Sequence, residues 1–147
     1  MTMKIPFNEG HIRHLSDSNR VMRQFVSSVE EGYDMIVTCL KNGGTVFTCG
    51  NGGSMADSCH FAAELTGRFK KKDRPPLSGL ALGTNAAEMS AIGNDFGYEC
   101  VFARPLSVLA KKGDVLVGFS TSGTSPNVVK AWNYAATHNI GTIALTG

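Results

Sequence analysis

Little in this chain of 147 residues points to a membrane, a polyanion or a disulfide framework. No apolar run approaches the roughly 20 residues that a bilayer-spanning helix needs. The stretch Met1 to His14 carries Lys4, Glu9, Arg13 and two histidines without an apolar core, which argues against a secretory signal. The net charge of +2 is too small to predict nucleic-acid binding. One basic cluster, Arg68, Lys70, Lys71, Lys72 and Arg74, reads as a solvated loop after a helix, with local capture of an anion as the other reading. The four cysteines, Cys39, Cys49, Cys59 and Cys100, include no CxxC pair. Their long, irregular separations argue against a zinc site built from them and fit reduced, mostly buried thiols of a cytoplasmic protein. With 42% hydrophobic and 18% charged residues, the sequence has the balance of one globular domain and not of a disordered chain.

The hydrophobic pattern alternates between helical and strand-like segments. Ser16 to Asn19 groups helix-capping residues, and Val21, Phe25, Val29, Tyr33, Ile36, Val37 and Leu40 then recur at helical spacing until Asn42-Gly43-Gly44 stops the helix. The breadth of its apolar stripe predicts packing against more than one surface, a partner subunit among them. Residues 1–42 therefore read as an N-terminal helical segment for oligomerisation, and residues 43–147 as the ligand-binding domain. Within the second part, Thr45 to Cys49, Gly79 to Leu82, Val115 to Phe119 and Thr142 to Leu145 read as short buried strands. Ser54 to Thr66, Val101 to Leu109 and Val128 to His138 read as helices. Glu88 to Ile92 reads as a helical turn entering a loop, Gly93 to Gly97. Strands of this kind separated by helices predict an α/β fold, a parallel sheet covered by helices on both faces. Ligands of such sheets bind beyond the carboxyl ends of the strands.

Two loops fall on that edge. Gly50-Asn-Gly-Gly-Ser54 lets backbone approach a ligand closely and opens a helix whose first amides suit an anion, although a tight turn has the same composition. It is neither a GxGxxG fingerprint nor a Walker loop, so nucleotide binding is not supported. Ser120-Thr-Ser-Gly-Thr-Ser125 sets five hydroxyls in six residues, a dense donor set for phosphate oxygens; its other reading is a loop that caps the next helix with Ser125. His60 and Glu64, four apart on one helix face, are either a surface pair or the beginning of a metal site with a carboxylate base. Asp57 stands where it could orient the His60 ring. Asn94 and Asp95, between Gly93 and Gly97, are good turn residues.

In order and spacing these segments resemble the sugar-isomerase (SIS) family, and within it the phosphoheptose isomerase branch. The residues that carry the resemblance are Gly50-Asn-Gly-Gly-Ser54, Asp57, His60, Glu64-Leu65, Ala91-Ile-Gly-Asn-Asp-Phe-Gly97, Gly113-Asp-Val-Leu116 and Ser120-Thr-Ser-Gly-Thr-Ser-Pro-Asn-Val128. The resemblance implies a flavodoxin- or Rossmann-like SIS sandwich and an aldose–ketose isomerase. Its substrate would be sedoheptulose 7-phosphate and its product D-glycero-D-manno-heptose 7-phosphate, a precursor of bacterial lipopolysaccharide heptose. It implies that Ser120, Thr121, Ser122 and Ser125 hold the phosphate, and that Asn51, Gly52, Gly53, Asn94 and Asp95 contact the sugar. It also implies that His60 and Glu64 bind zinc, and that Glu64 moves the proton through an enediol. Two more zinc ligands, a glutamine and a histidine, would come from a C-terminal helix that follows the position of Gly147 in relatives. A homotetramer built on the N-terminal helices is implied as well. Where relatives commonly have Thr-Asp after the second strand, this chain has Thr84-Asn85. A non-catalytic SIS module that senses phosphosugars or binds a protein is the competing reading, against which the His60/Glu64 pair argues.

Overall fold

The computed structural model describes Arg23, residues 25–70 and residues 72–147. The capping cluster Ser16 to Asn19, Val21 and Lys71 lie outside these. The chain divides into two compact units between Asp34 and Met35. Helix α1, Val26–Lys41, runs through that boundary. Phe25, just before it, and Val26, Val29 and Tyr33 on its first part are exposed.

In the second unit the order is β1 (Val46–Gly50), α2 (Gly53–Thr66), β2 (Gly79–Ala81), α3 (Ala86–Phe96), a 3-10 turn (Tyr98–Cys100), α4 (Ala103–Leu109), β3 (Val115–Phe119), α5 (Pro126–Thr137) and β4 (Gly141–Leu145). The four strands form one parallel sheet in the order β2-β1-β3-β4. The period-two alternation of side chains splits the core in two. Phe47, Cys49 and Leu116 face one way, onto Val101, Phe102 and Leu106 and onto Val128, Ala131 and Ala135 of α5. Val46, Val115 and Val117 face the other way, onto Cys39 with Ile36 and Leu40 of α1 and Phe61 and Leu65 of α2. Strands buried on both faces explain why the sequence shows continuous apolar runs and no alternation. Thr48 is the polar exception. Its hydroxyl donates to the Ser58 carbonyl at 2.9 Å and accepts from the Ser58 hydroxyl at 2.9 Å, so α2 satisfies it inside the core.

The expected α/β sandwich is present, with one correction. The Gly93 to Gly97 segment is not a loop: α3 continues to Phe96 and ends at Gly97, whose φ of 86° only glycine adopts readily. Asn85 explains the earlier start of α3. Its side chain accepts from the amides of Ala87 (3.1 Å) and Glu88 (3.3 Å), capping the helix. Pro105 lies in the first turn of α4, where its missing N–H costs no helical bond.

Candidate functional site

The strand order changes direction between β1 and β3, and at such a switch point the loops leaving the two strands open a crevice. Gly50 pairs in register with Phe119, so the loop from Asn51 and the loop from Ser120 leave the sheet side by side. Close approach requires glycine at position 50: a Cβ there would lie 2.6 Å from the Ser54 carbonyl oxygen and 3.0 Å from that of Phe119. Gly52 has a φ of 54°, which turns the chain into α2. Gly53 differs, because a Cβ there would meet nothing within 4 Å. The backbone at Gly53 therefore borders open space.

In the second loop, Ser120 is buried while Thr121, Ser122, Gly123 and Thr124 are exposed. Gly123 closes the turn by donating to the Ser120 carbonyl at 2.9 Å, and the Thr124 amide and hydroxyl both donate to the Ser122 hydroxyl, at 3.3 and 3.1 Å. Ser125 occupies the N-cap position of α5 without capping it. Its hydroxyl instead accepts from Ser120 at 3.1 Å. Ser125 thus does not cap the helix; Pro126 has no N–H and the Val128 amide donates to Asn127 Oδ1 at 3.0 Å, which leaves the Asn127 amide as the donor at the start of α5.

The two loops are tied together by side chains. Asn51 Nδ2 donates to Asn127 Oδ1 and Asn127 Nδ2 donates back to Asn51 Oδ1, both at 2.8 Å. The Tyr98 hydroxyl also donates to Asn51 Oδ1 at 3.3 Å. Sequence reasoning assigned roles to Asn51 but to neither Asn127 nor Tyr98. In sequence Asn127 stands just before the helix read from Val128, and nothing in its spacing marked it for a role; the structure starts α5 at Pro126 and puts Asn127 in its first turn.

His60 and Glu64 meet as the spacing predicted, with His60 Nε2 3.7 Å from Glu64 Oε1. Glu64 Oε2 is buried and has no hydrogen-bond partner. A buried carboxylate oxygen without a partner is costly, and a cation or a ligand proton would satisfy it. The orphaned oxygen is the feature of this pair that suits a cation; among the described residues no cluster of three His, Cys, Asp or Glu side chains completes a ligand set. Asp57 is exposed and forms no hydrogen bond with the His60 ring. Glu64 lies eleven residues into α2, about 16 Å along the axis from Gly53. No hydrogen bond among the described residues joins it to either loop. Asn94 and Asp95 are exposed at the end of α3, where Asn94 Nδ2 donates to Asp95 Oδ1 at 2.8 Å. They too form no bond to the loops.

The basic cluster is partly structural. Arg74 wraps the end of α2, donating from Nη2 to the carbonyls of Glu64 (2.7 Å) and Gly67 (3.1 Å) and from Nη1 to Leu65 (3.0 Å). All four cysteines are free thiols. Burial pushes the Cys49 thiol up to about 12 and raises that of Cys39, where the Asp114 carboxylate adds to the effect. Among the described residues no helix is long and apolar enough to cross a membrane.

Comparison with known proteins identifies relatives of the chain and of its fold. The SIS domain family matches residues 13–147. The chain is 46% identical over 134 residues to the phosphoheptose isomerase of Helicobacter hepaticus, covering 91% of this chain and 67% of that protein. It is 51% identical over 114 residues to the phosphoheptose isomerase of Campylobacter jejuni serotype O:6, covering 78% and 61%. The chain thus spans about two thirds of the length of these relatives. The solved structure of phosphoheptose isomerase GmhA from Neisseria gonorrhoeae superposes with a TM-score of 0.80 at 40% identity, over 95% of this chain and 74% of that one.

Proposed function

The chain belongs to the SIS domain family, in its phosphoheptose isomerase branch, and on that premise we propose that it serves the aldose–ketose isomerisation of sedoheptulose 7-phosphate to D-glycero-D-manno-heptose 7-phosphate. The observation that carries the reading is the side-by-side exit of the 50–53 and 120–125 loops at the β1/β3 switch point.

In this reading each residue has a task. Ser120, Thr121, Ser122 and Ser125, with the Asn127 amide at the start of α5, hold the phosphate; phosphate needs many donors and little else. Asn51 and the backbone of Gly52 and Gly53 contact the sugar from the opposite wall, and Asn94 and Asp95 complete its contacts. Glu64 takes the proton from C1 and returns it at C2 through the enediol. A base needs a free lone pair, and Glu64 Oε2 has no internal partner to compete for it. His60 and Glu64 would hold zinc, which when bound supplies Lewis-acid polarisation of a sugar oxygen; the remaining ligands come from other residues.

The separation of about 16 Å along α2 between Gly53 and Glu64 favours a site assembled from more than one copy of the chain. A homotetramer formed through the N-terminal helices provides one, and the exposed Phe25, Val26, Val29 and Tyr33 give those helices an apolar surface to bury. Unpaired thiols and a phosphorylated substrate fit a cytoplasmic setting.

Replacing Ser120 and Ser122 with Ala tests the phosphate assignment. Affinity for sedoheptulose 7-phosphate, measured by calorimetry, should fall at least tenfold with the fold retained; unchanged affinity would remove the hydroxyl loop from the site.

A further inference from the structure

We infer that Asn127 is a positioning residue which fixes Asn51 as a donor, so that this wall of the site recognises an acceptor oxygen of the sugar. The inference rests on the reading of Asn51 as a sugar contact.

Asn127 is 2% exposed and sits in the first turn of α5, so its side chain is fixed by the core below it. Its orientation is determined independently of Asn51. The Val128 amide donates to Asn127 Oδ1 at 3.0 Å, and only the carbonyl end of the side chain can accept that bond. With Oδ1 set, the reciprocal pair sets Asn51. Nδ2 of Asn51 must face Asn127 Oδ1, and Oδ1 of Asn51 must face Asn127 Nδ2.

A count of bonding capacity then decides what Asn51 can offer. A primary amide has two N–H groups and a carbonyl with two acceptor sites. Asn51 Oδ1 accepts from Asn127 and from the Tyr98 hydroxyl, which fills both sites. One N–H is used on Asn127, and one remains. The residue at the head of the glycine loop can therefore give a sugar hydroxyl or carbonyl oxygen a hydrogen bond, and cannot accept one. The pair also spans the switch point, joining residues 76 apart in sequence, so it holds the sugar-side and phosphate-side loops at a fixed distance.

The test combines a double-mutant cycle on the full chain with side-chain amide exchange measured by NMR. With sedoheptulose 7-phosphate as substrate, Asn51→Ala and Asn127→Ala should each lower kcat/KM by about tenfold, the value of one lost hydrogen bond. The double variant should be no worse than either single one. Asn51→Asp keeps an acceptor for Asn127 but has no N–H, and it should lose at least as much. In the wild type one Asn51 side-chain proton should resist exchange, and Asn127→Ala should release it. Losses that multiply to about a hundredfold in the double variant, or near-normal Asn51→Asp turnover, overturn the positioning role with the isomerase reading intact. If Asn127→Ala does not fold, Asn51→Asp and the wild-type exchange pattern decide, and free exchange of both Asn51 protons overturns it. A wild-type protein that neither binds nor converts the sugar phosphate overturns the functional reading. A protected Asn51 proton would then mark an internal strut, and the positioning role falls with it.

Discussion

Gly50 and Gly53 stand three residues apart in one motif, and alanine at the two positions should have opposite consequences. At Gly50 the new methyl would lie 2.6 and 2.7 Å from backbone atoms of Ser54 and 3.0 Å from the Phe119 carbonyl oxygen. None of these is a flexible side-chain end, so β1, α2 and β3 must shift. Overpacking of this kind costs about 1–3 kcal/mol, or roughly 2–12 °C in Tm for a chain of this size. At Gly53 the methyl meets nothing within 4 Å, and the residue opens a helix. Alanine there restricts the unfolded chain and should stabilise by about 0.4–1 kcal/mol. The open space at Gly53 is the space assigned to the sugar. Gly53→Ala should therefore raise Tm by a few degrees while weakening sedoheptulose 7-phosphate binding tenfold or more. Thermal unfolding and calorimetry on the same samples separate the two effects. A stable Gly53→Ala protein with normal affinity would refute the claim that this backbone lines the ligand site. A destabilised one would refute the geometry itself.

Other expectations concern the fold that carries the site. Asp114 is 1% exposed, and its carboxylate accepts from the amides of Thr45 and Lys111, both at 2.8 Å, tying the ends of β1 and β3 together. Asp114→Ala should cost roughly 3–5 kcal/mol in denaturant unfolding, since two charge-assisted bonds are lost; a loss below about 1 kcal/mol would contradict this. Cys49 is raised from its ordinary 9.0 to about 12 on folding. The unfolded thiol thus ionises first, and stability is unaffected below pH 9 and falls between pH 9 and 12, by about 1.4 kcal/mol per pH unit. At pH 8 a thiol reagent should reach the half-buried Cys59 and Cys100 before Cys49; early labelling of Cys49 in the native protein would contradict its burial.

The strands and the two ligand-edge loops were legible in the sequence because burial on both faces leaves continuous apolar runs, and a turn that must approach a ligand leaves glycines and hydroxyls. The extent of α3 was not. Gly93, Asn94 and Asp95 are poor helix formers, so local propensity pointed to a loop, whereas the Asn85 cap and the following 3-10 turn carry the helix through to Phe96. The dual character of the basic cluster was hidden for a similar reason. Arg74 looks like its neighbours in sequence, but its guanidinium is spent on the carbonyl end of α2. The Asn51–Asn127 pair lay beyond reach, because a contact between residues 76 apart leaves no trace in spacing or composition. Among the candidate site residues, the i,i+4 meeting of His60 and Glu64 and the shared edge of the two loops were readable, and the side-chain bonds between the loops were not.

The most direct test follows the proton. Sedoheptulose 7-phosphate is incubated in heavy water with the protein and zinc, and with Glu64→Gln, and the C1 proton signal is followed by NMR. Loss of the signal with the wild type, and its persistence with a Glu64→Gln protein that still binds the sugar phosphate, is the predicted result. Exchange at a normal rate in Glu64→Gln would contradict the assignment of the base, and binding without any exchange in the wild type would mark a phosphosugar-binding module in place of an isomerase.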